Sequence, residues 1–356
     1  MAVGSVDVTY RGIFQKSLAS VITKALVKAA RHEHKIGGTV QRYSDSPERN
    51  GIPAKQFAVI ADEETSLRVE MAKYEPDTVV ATCVLDDTLV KGLESWAWYG
   101  VQAVNASLSP GGVLLVVSER PIEELADWMP RADFDWRLAV LSRKTSFAGL
   151  WVYNDDGTDM EVLGALSRVT GGLVALESLV ATAAAGSDAA RRAELLESGF
   201  SSVQVAPISA GVGREWPYET PALPAWDEMG EGVAIRGVPK GERNMLFQKF
   251  TTRTARPVVD FDRCVRCQIC YTVCPDEAFD PTPSGHYAVD YGHCCGCGIC
   301  ANACPVEGCI EMVDELAFSD NSDLHRIYEA DPEGYGNLRQ AALATAGGPV
   351  RHYGIF

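Results

Sequence analysis

The chain has 356 residues and a formal net charge of −16, with 46% apolar and 22% charged residues. This length suggests two or three domains, and the apolar fraction is ordinary for a globular protein. The acidic balance argues against a nucleic-acid-binding protein, which would need a basic face, and no apolar stretch approaches the ~18 residues of a membrane span.

The first 207 residues predict an α/β domain with a largely parallel sheet, because β-branched runs alternate with helical patterns. The chain opens with a strand at 6–10, a turn at 11–16 and an amphipathic helix from Ser17 that Gly37 and Gly38 end. Further strands are predicted at 39–43, 54–61, 77–84, 111–118 and 137–141, with a loop at 46–53. Helices are predicted at 158–185, broken at Gly171 and Gly172, and at 188–198, closed by Gly199.

Residues 208–257 differ in composition from the domain before them. Prolines and glycines are scattered there without an apolar period, which predicts an extended connector. Trp216 and Trp226 indicate that this connector lies over other protein, since tryptophan is rare on free linkers.

Two cysteine runs follow, and both read C-x2-C-x2-C-x3-C-P. The first run begins at Cys264 and the second at Cys294, and a short Val-Asp-aromatic segment precedes each at the same offset. This internal duplication predicts two halves, each made of a strand, a cluster loop and a short helix. The spacing is that of bacterial two-cluster ferredoxins, in which the fourth cysteine of each run binds the other [4Fe–4S] cluster.

The spacing therefore predicts two thiol groups as cluster ligands. The first thiol group is Cys264, Cys267, Cys270 and Cys304, and the second thiol group is Cys294, Cys297, Cys300 and Cys274. Zinc sites and disulfides are the competing interpretations. Zinc favours isolated pairs with a long gap, and disulfides need an oxidising compartment, so eight cysteines in two full runs disfavour both.

Residues 258–313 are thus predicted to form a ferredoxin-like α+β domain with two [4Fe–4S] clusters. The tail at 314–356 predicts short helices at 324–328 and 338–343. Three roles are open for this tail: it covers the clusters, it grips a partner subunit, or it is a partly ordered terminus.

Other reactive side chains give no catalytic constellation. Cys83, Cys295 and Cys309 are expected to pack, although the last two lie near ligands. His293 precedes a ligand and is expected either to hydrogen-bond a cluster sulfur or to be exposed. The chain shows no phosphate-binding loop and no signal peptide, so the cysteines indicate a reducing cytoplasm.

Several segments resemble the thiamine-diphosphate-dependent 2-oxoacid:acceptor oxidoreductases, in the form of a γ subunit fused to a δ subunit. The segment 253–260, which reads Arg-Thr-Ala-Arg-Pro-Val-Val-Asp, is similar to the entry into the two-cluster δ domain. The segments 46–55 and 163–166 resemble a loop and a helix of the γ domain. The first turn departs from the family's glycine-rich pattern, because residues 10–17 keep only Gly12 and Gln15.

The resemblance implies an electron-transfer subunit of a hetero-oligomer. Thiamine diphosphate and Mg²⁺ are then expected on partner α and β subunits, where a 2-oxoacid is decarboxylated, and a soluble ferredoxin or similar protein is the acceptor. The altered first turn leaves open a branch that does not use coenzyme A and acts on oxalate or a related acid.

Two other classes compete with this interpretation. One is a stand-alone iron–sulfur binding module, and the acidic charge argues against its nucleic-acid form. The other is a self-contained enzyme with its own flavin or nucleotide, against which the missing phosphate loop argues.

Overall fold

The computed structural model describes residues 3–42, 53–73, 75–94, 101–143, 156–186, 188–216 and 253–345. The chain divides into two compact units, residues 1–93 with 102–218, and residues 94–101 with 219–356. The predicted loop at 46–53 lies outside the described residues except for Pro53, and so do most of the predicted connector and the end of the tail. Among the described residues, no helix is both long and apolar enough to cross a membrane.

The chain up to residue 208 contains both strands and helices. In order they are β1 (Val3–Arg11), α1 (Gly12–Ala30), β2 (Ile36–Arg42), β3 (Pro53–Ala61), α2 (Glu64–Met71), β4 (Val79–Val84), β5 (Leu93–Glu94), β6 (Val101–Gln102), β7 (Leu108–Val117), α3 (Ile122–Ala126), β8 (Trp136–Leu141), α4 (Thr158–Val169), α5 (Leu176–Ala183), α6 (Ala189–Ser202) and β9 (Gln204–Ile208). The predicted strands and the helix break at Gly171 and Gly172 are confirmed to within a few residues.

The first unit is built on a seven-stranded mixed sheet with the order β2-β3-β1-β4-β7-β8-β9. The four central strands β1, β4, β7 and β8 run parallel. The outer strands β3, β2 and β9 pair antiparallel with their neighbours. The prediction of a largely parallel sheet was right for the centre and wrong for the edges. The link from β2 to β3 is too short for a crossover helix, so these two strands form an antiparallel pair.

Gly37 and Gly38 lie inside β2, so the prediction that they end the first helix is wrong. A Cβ on Gly37 would meet the Val59 carbonyl oxygen at 2.7 Å, with the Val27 side chain of α1 behind it. A Cβ on Gly38 would meet the Met71 side chain of α2 at 2.9 Å. Successive residues of a strand face opposite ways, so α1 and α2 cover opposite faces of the sheet.

Gly199 lies within α6 and does not close it, which corrects the predicted end at residue 198. A Cβ on Gly199 would meet the Glu161 carbonyl oxygen of α4 at 1.9 Å. A Cβ on Gly164 of α4 would meet the Leu196 carbonyl oxygen of α6 at 2.0 Å. The two helices therefore cross backbone to backbone, and both glycines are required by that close approach.

The second unit repeats a strand, a loop and a helix. Its elements are β10 (Ala255–Val259), α7 (Ile269–Val273), β11 (Phe279–Pro281), β12 (Tyr287–Val289), α8 (Ile299–Ala303), β13 (Ile310–Asp314), α9 (Leu324–Ala330) and α10 (Pro332–Thr345). β10 pairs antiparallel with β13, and β11 pairs antiparallel with β12. The helices α7 and α8 begin thirty residues apart, as the duplication predicts.

Helices α9 and α10 pack against the ferredoxin-like part of the second unit. Leu324, Tyr335 and Ala342 are buried in the same apolar core as the strands β10 and β13. The Tyr335 hydroxyl donates to the Val259 carbonyl oxygen at 2.5 Å, and an Arg339 guanidinium nitrogen donates to the Gly308 carbonyl oxygen at 2.9 Å. Of the three roles open for the tail, its described part therefore matches a cover of this domain.

Candidate metal centre

The first thiol group lines a single pocket. Cys264 and Cys267 come from the loop after β10, Cys270 comes from the first turn of α7, and Cys304 follows the end of α8. Burial raises the pKa of Cys270 to about 11, and the neighbouring charges of the other three thiols add to the rise. The four predicted ligands of the first group are thus brought together. The rest of the pocket wall is largely apolar and includes Val259, Tyr287, Val306 and Ile310.

The thiols of the second group also lie near one another. Burial raises the pKa of Cys300, and the charges of Cys294, Cys297 and Cys274 raise it further. Burial also raises the pKa of Cys294 to about 11, although the Arg253 guanidinium and the Gly296 N–H oppose this rise. Cys274 reaches this group from the end of α7, so each run sends its fourth cysteine to the group of the other run.

Left-handed backbone conformations recur at equivalent positions of the two loops. Arg266 and Gln268 have φ angles of 58° and 66°, and Gly296 and Gly298 have φ angles of 71° and 77°. A left-handed residue between helical or extended ones turns successive N–H groups toward a common point, which suits a negatively charged group. This turn also lets cysteines at x2 spacing face one centre. The glycines of the second run are the sequence signal for it.

Backbone N–H groups point at the ligand sulfurs. The amide of Ala278 donates to the Cys274 sulfur at 3.2 Å. The amides that follow Cys270 and Cys300, those of Tyr271 and Ala301, lower the pKa of the thiols that they contact. Hydrogen bonds to sulfur favour the thiolate, which is the form that binds metal.

The donor set fits an iron–sulfur cluster. All eight predicted ligands are thiols, and all-thiolate donors select iron–sulfur clusters or zinc. The four thiols of the first group line a shared pocket. The interleaving of the runs and the N–H groups at the sulfurs are the features that a cluster pair would use.

Two cysteines outside the predicted ligand set lie against it. The Cys309 thiol is buried, lines the pocket of the first thiol group and contacts the Asp260 carbonyl oxygen at 3.4 Å. The Cys295 thiol hydrogen-bonds to Cys297, and this contact lowers the pKa of Cys297. Both cysteines were expected to pack. Because both lie close to the second cysteine run along the chain, they come to lie beside ligand thiols. Cys83 is buried in β4, as expected.

His293 is largely buried, so of its two expected states the exposed one is wrong. Its Nδ1 lies 2.7 Å from the Asp290 Oδ2, and only 9% of the residue is exposed. Asp290 also accepts from the N–H of Gly292 at 2.9 Å. This pair therefore shapes the backbone just before Cys294.

A buried ionic network lies behind the second run. Glu315 accepts from the Arg253 Nε at 2.7 Å and from the Arg256 Nε and Nη2 at 2.9 and 2.6 Å. All three side chains are at most 1% exposed. Arg253 also donates to the carbonyl oxygens of Cys294, at 3.0 Å, and of Tyr291. Sequence reasoning missed this network, because Glu315 lies about sixty positions after the arginines.

The turn between β1 and α1 is closed by side chains of the chain itself. The structure has no separate turn at 11–16, because α1 begins at Gly12 directly after Arg11. The buried Arg11 Nη2 donates to the Thr88 hydroxyl at 2.6 Å, and its Nε lies 3.5 Å from the Asp86 carboxylate. Gln15 accepts from the Arg11 N–H at 2.8 Å and donates to the Leu85 carbonyl oxygen at 3.2 Å. These contacts occupy the strand–helix junction.

Comparison with known proteins supports the iron–sulfur assignment. The family described as "4Fe-4S dicluster domain" matches residues 257–312, so this part of the chain is similar to that domain. The chain is 42% identical over 37 residues to the pyruvate synthase subunit PorD of Methanocaldococcus jannaschii. That match covers 10% of this chain and 43% of the relative, so the chain spans less than half the length of this relative.

Three solved structures are also similar to the chain. One is the pyruvate oxidoreductase subunit PORC of Thermotoga maritima, at 19% identity and a TM-score of 0.41 over 58% of this chain and 99% of that one. Another is a keto/oxoacid ferredoxin oxidoreductase γ subunit of Geobacter sulfurreducens, at 16% identity and 0.39 over 57% and 97%. The third is the 2-oxoglutarate:ferredoxin oxidoreductase of Magnetococcus marinus, at 14% identity and 0.30 over 56% and 30%.

Proposed function

We propose that this chain is the electron-transfer subunit of a 2-oxoacid:ferredoxin oxidoreductase, with a γ-type α/β domain fused to a δ-type two-cluster ferredoxin domain. The observation that carries the proposal is the duplicated unit in which each cysteine run completes the thiol group of the other. The match of residues 257–312 to the 4Fe-4S dicluster family and the similarity to a pyruvate synthase subunit support it.

The eight thiols would hold two [4Fe–4S] clusters, one in each thiol group. When bound, each cluster supplies a site that accepts and releases one electron. Apolar walls and backbone N–H groups around the sulfurs would set how readily the site is reduced. The five-residue helices α7 and α8, each about 7.5 Å long, join one thiol group to the other and keep the two sites close together.

The chemistry on the oxoacid would take place on other chains. In this proposal thiamine diphosphate and Mg²⁺ lie on partner α and β subunits, where a 2-oxoacid loses carbon dioxide and gives up two electrons. The electrons then pass through this chain to a soluble ferredoxin or a similar carrier. The protein would work as part of a cytoplasmic hetero-oligomer. This chain would transfer electrons and would take no part in acid–base chemistry.

A second candidate is the branch that does not use coenzyme A and acts on oxalate or a related acid. The closed junction of β1 and α1 favours it. A free helix N-terminus offers N–H groups to a phosphate, as coenzyme A would require. Here Gln15 already binds the Arg11 N–H, and Arg11 is held by Asp86 and Thr88.

Anaerobic purification of the tagged chain from its native cells tests the proposal. Co-purification of thiamine-diphosphate-binding chains, with ferredoxin reduction that depends on a 2-oxoacid, is the expected result. A chain that purifies alone with full iron and reduces no ferredoxin with any oxoacid would favour the stand-alone iron–sulfur module.

The same preparation separates the two candidates. Oxoacids, with oxalate among them, are tested with and without coenzyme A, and carbon dioxide and reduced ferredoxin are measured. Turnover that needs coenzyme A supports the pyruvate-type reaction and argues against the second candidate. Turnover of oxalate without coenzyme A supports the second candidate.

A further inference from the structure

Arg256 and His286 occupy equivalent positions in the two halves of the ferredoxin unit. Each lies eight residues before the first cysteine of its own run. The Arg256 guanidinium carbon lies 4.6 Å from the ring centre of Tyr291, three residues before Cys294. The His286 ring centre lies 5.4 Å from that of Phe261, three residues before Cys264. The duplication thus keeps a side chain packed on the aromatic ring in each half, but this side chain is arginine in one half and histidine in the other.

On the side of the second run this contact belongs to a buried cationic group. Arg253 and Arg256 both bind the carboxylate of Glu315, and all three side chains are buried. The Arg256 guanidinium also lies 4.7 Å from the ring centre of Phe318, so aromatic rings stabilise its charge. Burial lowers the pKa of Arg256, but Glu315 outweighs it, and the Tyr291 and Cys294 charges add to the net rise.

On the side of the first run the equivalent contact belongs to an aromatic group. The Phe261 ring packs against His286, His325, Tyr328 and Tyr335 at centroid distances of 4.8 to 5.5 Å. Burial lowers the pKa of His286, and nearby Arg266 and His325 lower it further. His286 is therefore uncharged at neutral pH, where the equivalent Arg256 carries a positive charge.

Other charges near the runs are more exposed to water. Near the first run Arg339 bonds Glu311, which is 41% exposed, and lies 3.5 Å from Asp260, which is 22% exposed. Near the second run Asp290 pairs with His293 and is 30% exposed. Asp276, which is half-buried, also lies near this run, and its charge acts to raise the pKa of Cys297. Water and salt screen such charges far more than fully buried ones. Two fully buried guanidinium groups that share a carboxylate therefore distinguish the second run.

We propose that Arg253 and Arg256, held together by Glu315, raise the midpoint potential of the cluster at the second thiol group above that of the cluster at the first. The inference rests on the ligand assignment within the proposed function. Reduction adds one negative charge to a cluster, and a nearby buried positive charge favours that form. At equilibrium an electron that enters this domain therefore resides at the second thiol group.

A reductive titration of the full-length holo-protein, followed by electron paramagnetic resonance, tests this inference. Arg256→Gln is expected to lower the midpoint potential of one of the two signals and leave the other unchanged. Arg256→Lys, which keeps the charge, is expected to restore most of the shift. Cys297→Ala identifies the signal, because it removes the cluster of the second thiol group.

Glu315→Gln is expected to shift the midpoint potential in the direction opposite to Arg256→Gln. It leaves both guanidinium groups without their carboxylate and is expected to raise the midpoint potential of the same signal. Structural damage would move this variant and Arg256→Gln in the same direction. Arg339→Gln is the matched control, since this arginine lies near the first run and pairs with more exposed carboxylates, so the second signal is expected to stay where it was.

Equal shifts of both signals in Arg256→Gln, or no shift in Arg256→Gln and Glu315→Gln at full iron content, would overturn the inference. An Arg256→Gln protein that loses its iron leaves Glu315→Gln to decide by the sign of its shift. The measurement needs no oxoacid and no partner chain. The inference about the potentials can therefore hold even if no thiamine-binding partner is found. That failure would contradict only the proposed function.

Discussion

Gly296 packs directly against Ala255. A Cβ on Gly296 would meet the Ala255 carbonyl oxygen at 2.3 Å and the Arg253 Cβ at 2.6 Å. Gly296 also has a left-handed φ of 71°, which side chains other than glycine rarely adopt. The equivalent Arg266 of the first run has a φ of 58° and carries a full side chain. The second loop therefore needs glycine for space as well as for backbone conformation.

Gly296→Ala is expected to remove the cluster of the second thiol group and leave the other in place. The added methyl group would collide first with the Ala255 backbone, which cannot move aside as the end of a flexible side chain can. The loop from Cys294 to Cys297 must therefore move. Iron content of the anaerobically prepared protein should fall from about eight to about four per chain, by the ligand arithmetic of two four-iron clusters.

Arg266→Ala is the matched control for this substitution. It changes the equivalent position of the first loop but adds no atom, and it should keep both resonance signals. A Gly296→Ala protein with full iron and both signals would contradict the close packing of Gly296 on Ala255.

Cys304 and Cys309 should behave differently, although both line the pocket of the first thiol group. Cys304→Ala removes a proposed ligand and is expected to cost about four irons per chain. Cys309→Ala is expected to keep all of the iron, because this thiol already contacts the Asp260 carbonyl oxygen. Iron analysis with resonance spectra of the two variants measures the difference. Equal iron loss in both would refute the proposed ligand set.

Gly199→Ala is expected to destabilise the first unit by about 2 kcal/mol or more, since overpacking a close contact costs about 1–3 kcal/mol and this one is backbone to backbone. The methyl group would meet the Glu161 carbonyl oxygen. Gly186→Ala is the control, because its nearest neighbour is the flexible end of Arg192 at 3.3 Å. Denaturant unfolding measures both, and equal midpoints for the two variants would contradict the crossing of α4 and α6.

The errors in the predicted fold have a shared physical origin. Gly37, Gly38 and Gly199 were expected to end helices, because glycine favours the conformation that follows a helix. In the structure they permit close approach to Val59, Met71 and Glu161. A sequence pattern reports a residue's own conformational preference, whereas these partners lie far along the chain. Element type was predictable because hydrophobic periodicity is local.

The candidate site was likewise predictable only where its pattern is local in the sequence. The eight cysteines were found from spacing, because x2 and x3 intervals are local. The grouping of Arg253 and Arg256 with Glu315 depends on the pairing of β10 with β13, which the sequence does not reveal. Cys295 and Cys309 lie off the spacing, and only their contacts place them beside ligand thiols.

Helix α10 is expected to protect the first thiol group. Tyr335 is 3% exposed, donates to the Val259 carbonyl oxygen and packs on Phe261. Tyr335→Ala should cost about 3–5 kcal/mol, as for other buried aromatic truncations, and should loosen α10 from the core. A chelator should then release iron faster from the variant than from the parent protein, with one signal lost first.

Leu338→Ala is the control on the same helix, since this side chain is 38% exposed. Its effect on stability should stay within about 0.5 kcal/mol, as for surface substitutions. Tyr335→Phe separates the hydroxyl from the ring and should fall between the two, at a cost of about 1 kcal/mol for one hydrogen bond. Iron release at the parent rate from Tyr335→Ala, measured beside its unfolding midpoint, would mean that α10 contributes to stability without shielding the thiols.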